Sequence, residues 1–354
     1  MVVQAIRLLD FRCFSALSLR VPAEGVLLVG ENAQGKTSIL EALCVLIRLH
    51  SPRSNRMATL ARIGSTGFGV TGEAWQGQRS VRYADGGLIL RANHQPVESQ
   101  SEYLKDGGRV VWLGNEDLDL VRGPAESRRR FLDFIASQID PHYRVSFSRY
   151  KRALRAKNFL LKEIRSRDAE IQSYEEIMIE SGTHLIQRRE QVIHELATLA
   201  ATAQNDISGI NEALTMRYLP ASGPDLRESM LQARDREIRM RQAVVGPHRD
   251  DLDLRLHGMP AASYASEGQQ RTLAIALKLA QGKLLEIHTG QLPIYLIDDV
   301  FGELDPQRRN ALMRHLPQQA QKWITSTHLD WLHDYPELAA LARLRVSNNQ
   351  VIPF

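Results

Sequence analysis

Two stretches of this sequence carry residue types that handle phosphate. The first is VLLVGENAQGKTSILEALCVL, in which Gly30, Gly35, Lys36 and Thr37 stand in the order Gly-x-x-x-x-Gly-Lys-Thr. Glycines let a loop turn its backbone N–H groups inward onto phosphate oxygens, and the start of a following helix adds positive potential. Lys36 suits neutralisation of β- and γ-phosphates, and the Thr37 hydroxyl suits magnesium. The candidate cradle is therefore the whole loop: Gly30, Glu31, Asn32, Ala33, Gln34, Gly35, Lys36, Thr37 and Ser38. The second stretch is LPIYLIDDVFGELD. Asp298 is the candidate metal-holding carboxylate, acting mainly through water, and Asp299 the group that orients or deprotonates an attacking water. Further on, KWITSTH ends in His328, either a γ-phosphate contact or a structural histidine.

The flanks of these stretches predict what must position them. The apolar run Val26 to Val29 reads as a buried strand, and the stripe Ile39, Leu43, Leu46 as the helix after the loop. Ile294 to Ile297 reads as a central parallel strand, with Asp298 and Asp299 at its carboxyl end, where ligands bind in open α/β sheets. FGVTGEAWQGQRSVRYADGGLILRANHQPV alternates apolar and polar residues with Gly-Gly and Asn-rich breaks, which predicts antiparallel strands. From Ala125 to Arg241 the pattern turns helical and charged. A further amphipathic helix is predicted in YASEGQQRTLAIALKLAQ and beyond, with Leu273, Leu277, Ala280, Leu284 and Ile287 on its apolar stripe and Ser266 at the N-cap. Gly268 in its first turn weakens a helix by ~1 kcal/mol relative to alanine, so helix formation alone does not explain it.

The chain of 354 residues, 43% hydrophobic, allows two domains or one large domain with an insertion. No apolar run approaches the ~18 residues of a membrane span, and the N-terminus lacks a signal layout. With only Cys13 and Cys44 and no zinc-like spacing, a soluble cytoplasmic protein with no membrane association is expected. Net charge is +4. Between Arg122 and Arg167 stand thirteen Lys or Arg against four acids, with aromatics between them. Two basic regions are candidate DNA contacts. One is the loop with Arg53 and Arg56, flanked by Arg48 and Arg62. The other holds Arg128, Arg129, Arg130, Arg149, Lys151, Arg152 and Lys157. Each is equally readable as a solvated helix face or an ion-pair network.

The order of a P-loop, a Ser-x-Gly-Gln helix start, an Asp-Asp strand end, a Glu-Leu-Asp and a strand-ending His resembles the ABC-type ATPase head. That likeness implies a two-lobed α/β fold: an ATPase lobe from residues 1–115 and 244–354, and an inserted helical lobe with a short arm from 116–243. It makes Ser266, Glu267, Gly268 and Gln269 a signature motif that caps the γ-phosphate held by a second subunit, with Glu303, Leu304 and Asp305 as the D-loop. Gly268 then allows close backbone approach to phosphate. The blocks WLGNEDLDLVRGPAESRRRFLD, VGPHRDDL and YASEGQQRTLAIALKLA narrow the likeness further, to the RecF family of recombination mediators. That resemblance implies an ATP- and Mg2+-dependent homodimer that binds DNA duplexes and single/double-strand junctions. It implies slow ATP hydrolysis, with Lys36, Asp299 and His328 as catalytic residues. It also implies work with RecR and RecO so that RecA loads at gaps. The phosphate-site motifs alone also fit the nucleotide-binding subunit of a transporter, or a clamp that holds ATP as a structural ligand; the basic helical insertion fits the transporter less well.

Overall fold

A computed structural model describes residues 2–54, 56–75, 77–105, 107–163 and 168–354. The chain divides into two compact units, Met1–Asp117 with Gln281–Phe354, and Leu118–Ala280. The expected return to the first unit at residue 244 falls instead at Gln281. The reason lies in a three-stranded sheet that the helical pattern concealed. Its strands β9 (Thr215–Leu219), β10 (Asp251–Leu256) and β11 (Met259–Pro260) keep residues 251–260 with the second unit.

The first unit contains two six-stranded sheets. One is antiparallel, in the order β2-β1-β4-β5-β6-β7: β1 (Val3–Phe11), β2 (Phe14–Arg20), β4 (Phe68–Ala74), β5 (Gly77–Ala84), β6 (Gly87–Ala92) and β7 (Gln95–Val97). The other runs β15-β14-β3-β13-β12-β8: β3 (Gly25–Val29), β8 (Val110–Gly114), β12 (Ile294–Asp298), β13 (Lys322–Ser326), β14 (Ala342–Ser347) and β15 (Gln350–Pro353). All its neighbours are parallel except the β14–β15 hairpin. β3, β8 and β13 are buried at every position, as expected of strands covered on both faces. Helix α1 (Lys36–Arg48) touches strands of both sheets, and Ile39 to Ile47 are buried throughout. It is apolar nearly all round because it has no solvent side. Its one acid, Glu41, is wholly buried and is held by the Arg12 guanidinium at 2.8 Å and the Ser51 hydroxyl at 2.5 Å. Helices α2 (Gln100–Lys105) and α10 (Pro306–His315) complete this unit.

The second unit is mainly helical: α3 (Asp119–Arg122), α4 (Ala125–Ile139), α5 (Pro141–Leu160), α6 (Asp168–Ser208), α7 (Leu226–Met240) and α8 (Ala261–Tyr264). Helix α9 (Glu267–Thr289) begins in it and carries the chain back to the first unit. The 41-residue α6 packs along α5, as the long amphipathic patterns predict. Its middle is fixed by a buried charged cluster. Arg189 pairs with Asp133 at 2.8 Å and Asp250 at 3.3 Å and donates to the Pro247 carbonyl at 2.6 Å, while the Tyr218 hydroxyl donates to Asp250. His248 donates from Nε2 to the Ala243 carbonyl (3.2 Å) and accepts from the Tyr150 hydroxyl at Nδ1 (2.6 Å). Burial lowers its pKa to about 4, which keeps this ring neutral. The GPHRDD stretch, with Pro247 and Asp250 buried and Arg249 exposed, is thus a joint between α5, α6 and β10.

Candidate functional site

The phosphate loop leaves β3 at Gly30 and enters α1 at Lys36. Gly30 is glycine for a packing reason: a Cβ there would lie 2.2 Å from the Val346 carbonyl oxygen of β14. Gly35 is glycine for a conformational one. Its φ is 101°, and a Cβ would also press on Cys13 and Phe14 at 2.7 Å. Ala33 also takes a left-handed conformation, φ 64°. The α1 N-terminus has no side-chain cap, so the first-turn N–H groups receive no hydroxyl or carboxylate from Gly35. Lys36 is buried and its ammonium donates back to the carbonyls of Gly30 (2.6 Å) and Glu31 (2.9 Å). Burial depresses its pKa, only partly offset by Asp299 and Asp298. The loop is thus a concave turn closed over its own lysine. Gln34 is tied to the β14–β15 turn, accepting from the Asn348 N–H at 2.7 Å.

β12 lies next to β13, and β13 next to β3, so the ends of these parallel strands bring the second motif to the first. Asp298 accepts from the Thr37 hydroxyl and from the Thr325 hydroxyl, each at 2.8 Å and both at Oδ1. Burial raises the Asp298 pKa, and neighbouring Glu116 and Asp299 add to the rise against those two hydrogen bonds. Asp299 follows with φ 54°, a left-handed conformation that costs a non-glycine residue about 1 kcal/mol or more. Its N–H donates to the Thr325 hydroxyl at 2.9 Å, while its buried Oδ1 has no hydrogen-bond partner. A buried carboxylate oxygen without a donor calls for one. Thr325, which the motifs do not mark, therefore fixes both acids.

His328 lies two residues past β13. A Cβ at Gly302 would stand 3.3 Å from His328 Nε2 and 3.9 Å from Asp299 Oδ1, so all three meet at one corner. Of the Glu-Leu-Asp set, Glu303 accepts from the Asn115 amide at 2.6 Å and Leu304 is buried. Asp305 caps α10 through the Arg308 N–H at 2.9 Å. Ser38 is buried within α1, while Glu31 and Asn32 are exposed.

In the second unit Ser266 and Gln269 form a reciprocal capping box at the start of α9. The Ser266 N–H donates to Gln269 Oε1 at 2.8 Å, and the Gln269 N–H donates to Ser266 Oγ at 3.3 Å. The Gln269 amide is anchored in turn on Glu212 at 2.9 Å. Ser266 and Glu267 are exposed and Gly268 half-buried.

The basic stretch of the second unit is largely engaged within the protein. Lys157 is fully buried, 2.9 Å from Glu175 and 2.5 Å from Glu237, so it offers nothing to DNA; that expectation is corrected by two acids contributed from α6 and α7. Arg128 is bidentate on Asp251, at 2.6 and 3.0 Å, and Arg129 donates to the Asp250 carbonyl at 2.7 Å. Arg130 pairs with Glu126, and Arg149 with Glu180 at 2.9 Å. Lys151 and Arg152 are exposed on α5, Lys151 with its ammonium 5.1 Å from the Phe147 ring centroid. Arg53 and Arg56 are exposed in the loop after α1. Residues 164–167, the end of the basic run, lie outside the described residues.

The first 54 residues, 1–54, match a family described as "Protein of unknown function (DUF2813)". A structure titled as the recombination mediator protein RecF with ATP in the RecFOR pathway superposes with TM-score 0.88 at 26% identity, covering 100% of this chain and 97% of the other. The Smc head domain of Pyrococcus furiosus shares the fold at TM-score 0.52 and 15% identity, covering 100% of this chain and 96% of that one. Fold and site together define an ABC-type ATPase head with an inserted helical lobe. Curated relatives narrow the class. "DNA replication and repair protein RecF" of Rippkaea orientalis is 34% identical, over 93% of this chain and 94% of its own. The protein of the same description from Synechococcus sp. strain JA-3-3Ab is 34% identical over 100% and 98%. The chain belongs to the RecF family.

Proposed function

We propose that this protein is a cytoplasmic, ATP-dependent DNA-binding protein of recombinational repair. It dimerises on ATP, hydrolyses it slowly to ADP and phosphate under the influence of DNA, and with RecR and RecO promotes RecA loading at single-strand gaps. The observation that carries this reading is the hydrogen bond between Thr37 and Asp298, 261 positions apart in sequence, at the mouth of a glycine loop closed on its own lysine. The RecF relatives supply the link to repair and to the RecFOR pathway.

Triphosphate replaces the two carbonyls now held by Lys36, giving the ammonium charge-assisted partners. The backbone N–H groups of the loop from Asn32 to Thr37 would supply further donors to its oxygens. The donors also fit magnesium: a hydroxyl and a carboxylate are hard oxygen ligands, and Asp298, ionised at a cost of burial, gains from a nearby cation. Thr37 would hold the ion directly and Asp298 through water, and the ion would supply charge neutralisation on the β- and γ-phosphates. Asp299 orients the attacking water and accepts its proton, with His328 at the γ-phosphate. Aspartate reaches one methylene less far than glutamate, which accounts for slow turnover. Ser266, Gly268 and the α9 N-terminus complete the site on a partner copy, with Glu303 to Asp305 as the D-loop. Phosphate release from wild type and Asp299→Asn, with and without gapped duplex, tests the enzymatic part. Lost turnover with retained ATP-dependent dimers supports it. An unchanged rate contradicts it and favours a clamp that uses ATP as a structural ligand.

A further inference from the structure

The antiparallel sheet of the first unit has two faces of opposite character. Ile6, Leu8, Val70, Val81 and Leu90 are buried on one, and a Cβ at Gly72 would meet Leu46 of α1 at 2.4 Å, which identifies that face as the covered one. On the other face, register brings together arginines that are far apart in sequence. Arg7 stands opposite Thr71, Thr71 opposite Ser80, and Ser80 opposite Arg91. One row along, Leu9 stands opposite Gly69, Gly69 opposite Arg82, and Arg82 opposite Ile89. Arg20 of β2 stands opposite Ala5. Arg7, Arg20, Arg82 and Arg91 are all exposed. Among the described strand residues of this face the acid is Glu73, 3.8 Å from a well-solvated Arg20.

We infer that this outward face docks the phosphate backbone of double-stranded DNA, with Arg7, Arg82 and Arg91 at its centre and Arg20 at its margin. The inference rests on the DNA-binding reading above and gives it a surface. Charge complementarity is the first support. In the second unit most of the expected basic contacts are matched by acids, whereas Arg7, Arg82 and Arg91 have no ion pair among the described residues. Geometry is the second. Strands lie ~4.8 Å apart, so Arg7 and Arg91, three strands apart, are separated by about 14 Å. That is the scale of the ~12 Å major groove, so the two reach phosphates on opposite walls with Arg82 between them. Side-chain type is the third. Ser18, Thr71 and Ser80 add hydroxyl donors of the kind that contact phosphates. No aromatic side chain stands in these rows, whereas single strands are held by stacking and protein partners by buried aromatic anchors.

The test compares wild type with an R7E/R82E/R91E variant, all three being exposed positions outside the nucleotide site. Duplex affinity is measured with ATP across a range of salt, beside ATP-driven dimerisation of the same samples. Each phosphate contact contributes about 0.9 to the slope of log affinity against log salt. The variant is expected to dimerise normally, bind duplex at least tenfold more weakly and lose two to three units of slope. An R7K/R82K/R91K variant is expected to keep the slope. A glutamate variant with wild-type affinity and slope overturns the surface while leaving the repair reading intact, as does one that loses an acidic protein partner but keeps the duplex. A wild type that binds no duplex with ATP overturns the DNA-binding reading itself.

Discussion

Two helix N-termini, one in each unit, are built in opposite ways. At α1 a left-handed Gly35 precedes the helix and no side chain caps it. At α9 Ser266 and Gln269 cap each other, and Gln269 is tied to Glu212. Uncapped first-turn N–H groups leave hydrogen-bonding capacity and dipole potential for a ligand. A capping box spends part of the same capacity inside the chain. The α1 start therefore keeps its first-turn N–H groups available to an anion. The α9 start satisfies part of its own capacity and leaves Ser266 exposed beside Gly268. On the proposed function, the first end binds the nucleotide and the second meets it from a partner copy.

The difference can be broken most strongly at Lys36. Lys36→Met removes the only ammonium in the loop and is expected to lower ATP affinity by about one to two orders of magnitude, read by calorimetry or a fluorescent analogue. Gly35→Ala forces a side chain into φ 101° against Cys13 and Phe14 and is expected to destabilise the first unit by about 2 kcal/mol in urea unfolding. At the capped end the changes are smaller, and the glycine replacement has the opposite sign. Ser266→Ala should cost about 1 kcal/mol of stability by loss of the cap. Gly268→Ala, inside the helix, should gain up to ~1 kcal/mol while weakening the ATP-bound dimer.

The smallest effect is a proton. The folded pKa of Asp298 lies above its ordinary value, so its ionised form costs stability at neutral pH, and that cost is relieved as pH falls through the raised pKa. A cation at the carboxylate competes with this proton. Magnesium–ATP binding is expected to weaken as pH falls through that range and to release a fraction of a proton within it. Calorimetry in two buffers of different ionisation heat measures the release, and Asp298→Asn subtracts the triphosphate's own titration. An equal release from both proteins would remove Asp298 from the metal site.

The same contrast explains what the sequence made legible. Motifs of consecutive residues, such as Gly30 to Ser38, Asp298-Asp299 and Ser266 to Gln269, can be read because the pattern lies along the chain itself. β4 to β7 were readable from alternation and Gly-Gly breaks. What could not be read depends on partners supplied by pairing or packing. Lys157 looked like a surface cation until Glu175 and Glu237 closed on it. Thr325 orients both acids only because β13 runs beside β12. Gly30 owes its lack of a side chain to Val346, more than 300 positions away. β9 was hidden inside a charged helical stretch, since a five-residue strand alternates too briefly to stand out.

The most direct test of the two-ended account is sedimentation of wild type and Ser266→Arg, with and without ATP. The account predicts that wild type passes from monomer to dimer only with ATP, and that Ser266→Arg binds ATP with wild-type affinity but remains a monomer. A Ser266→Arg protein that dimerises on ATP as wild type does would contradict it and reduce the α9 start to a helix cap.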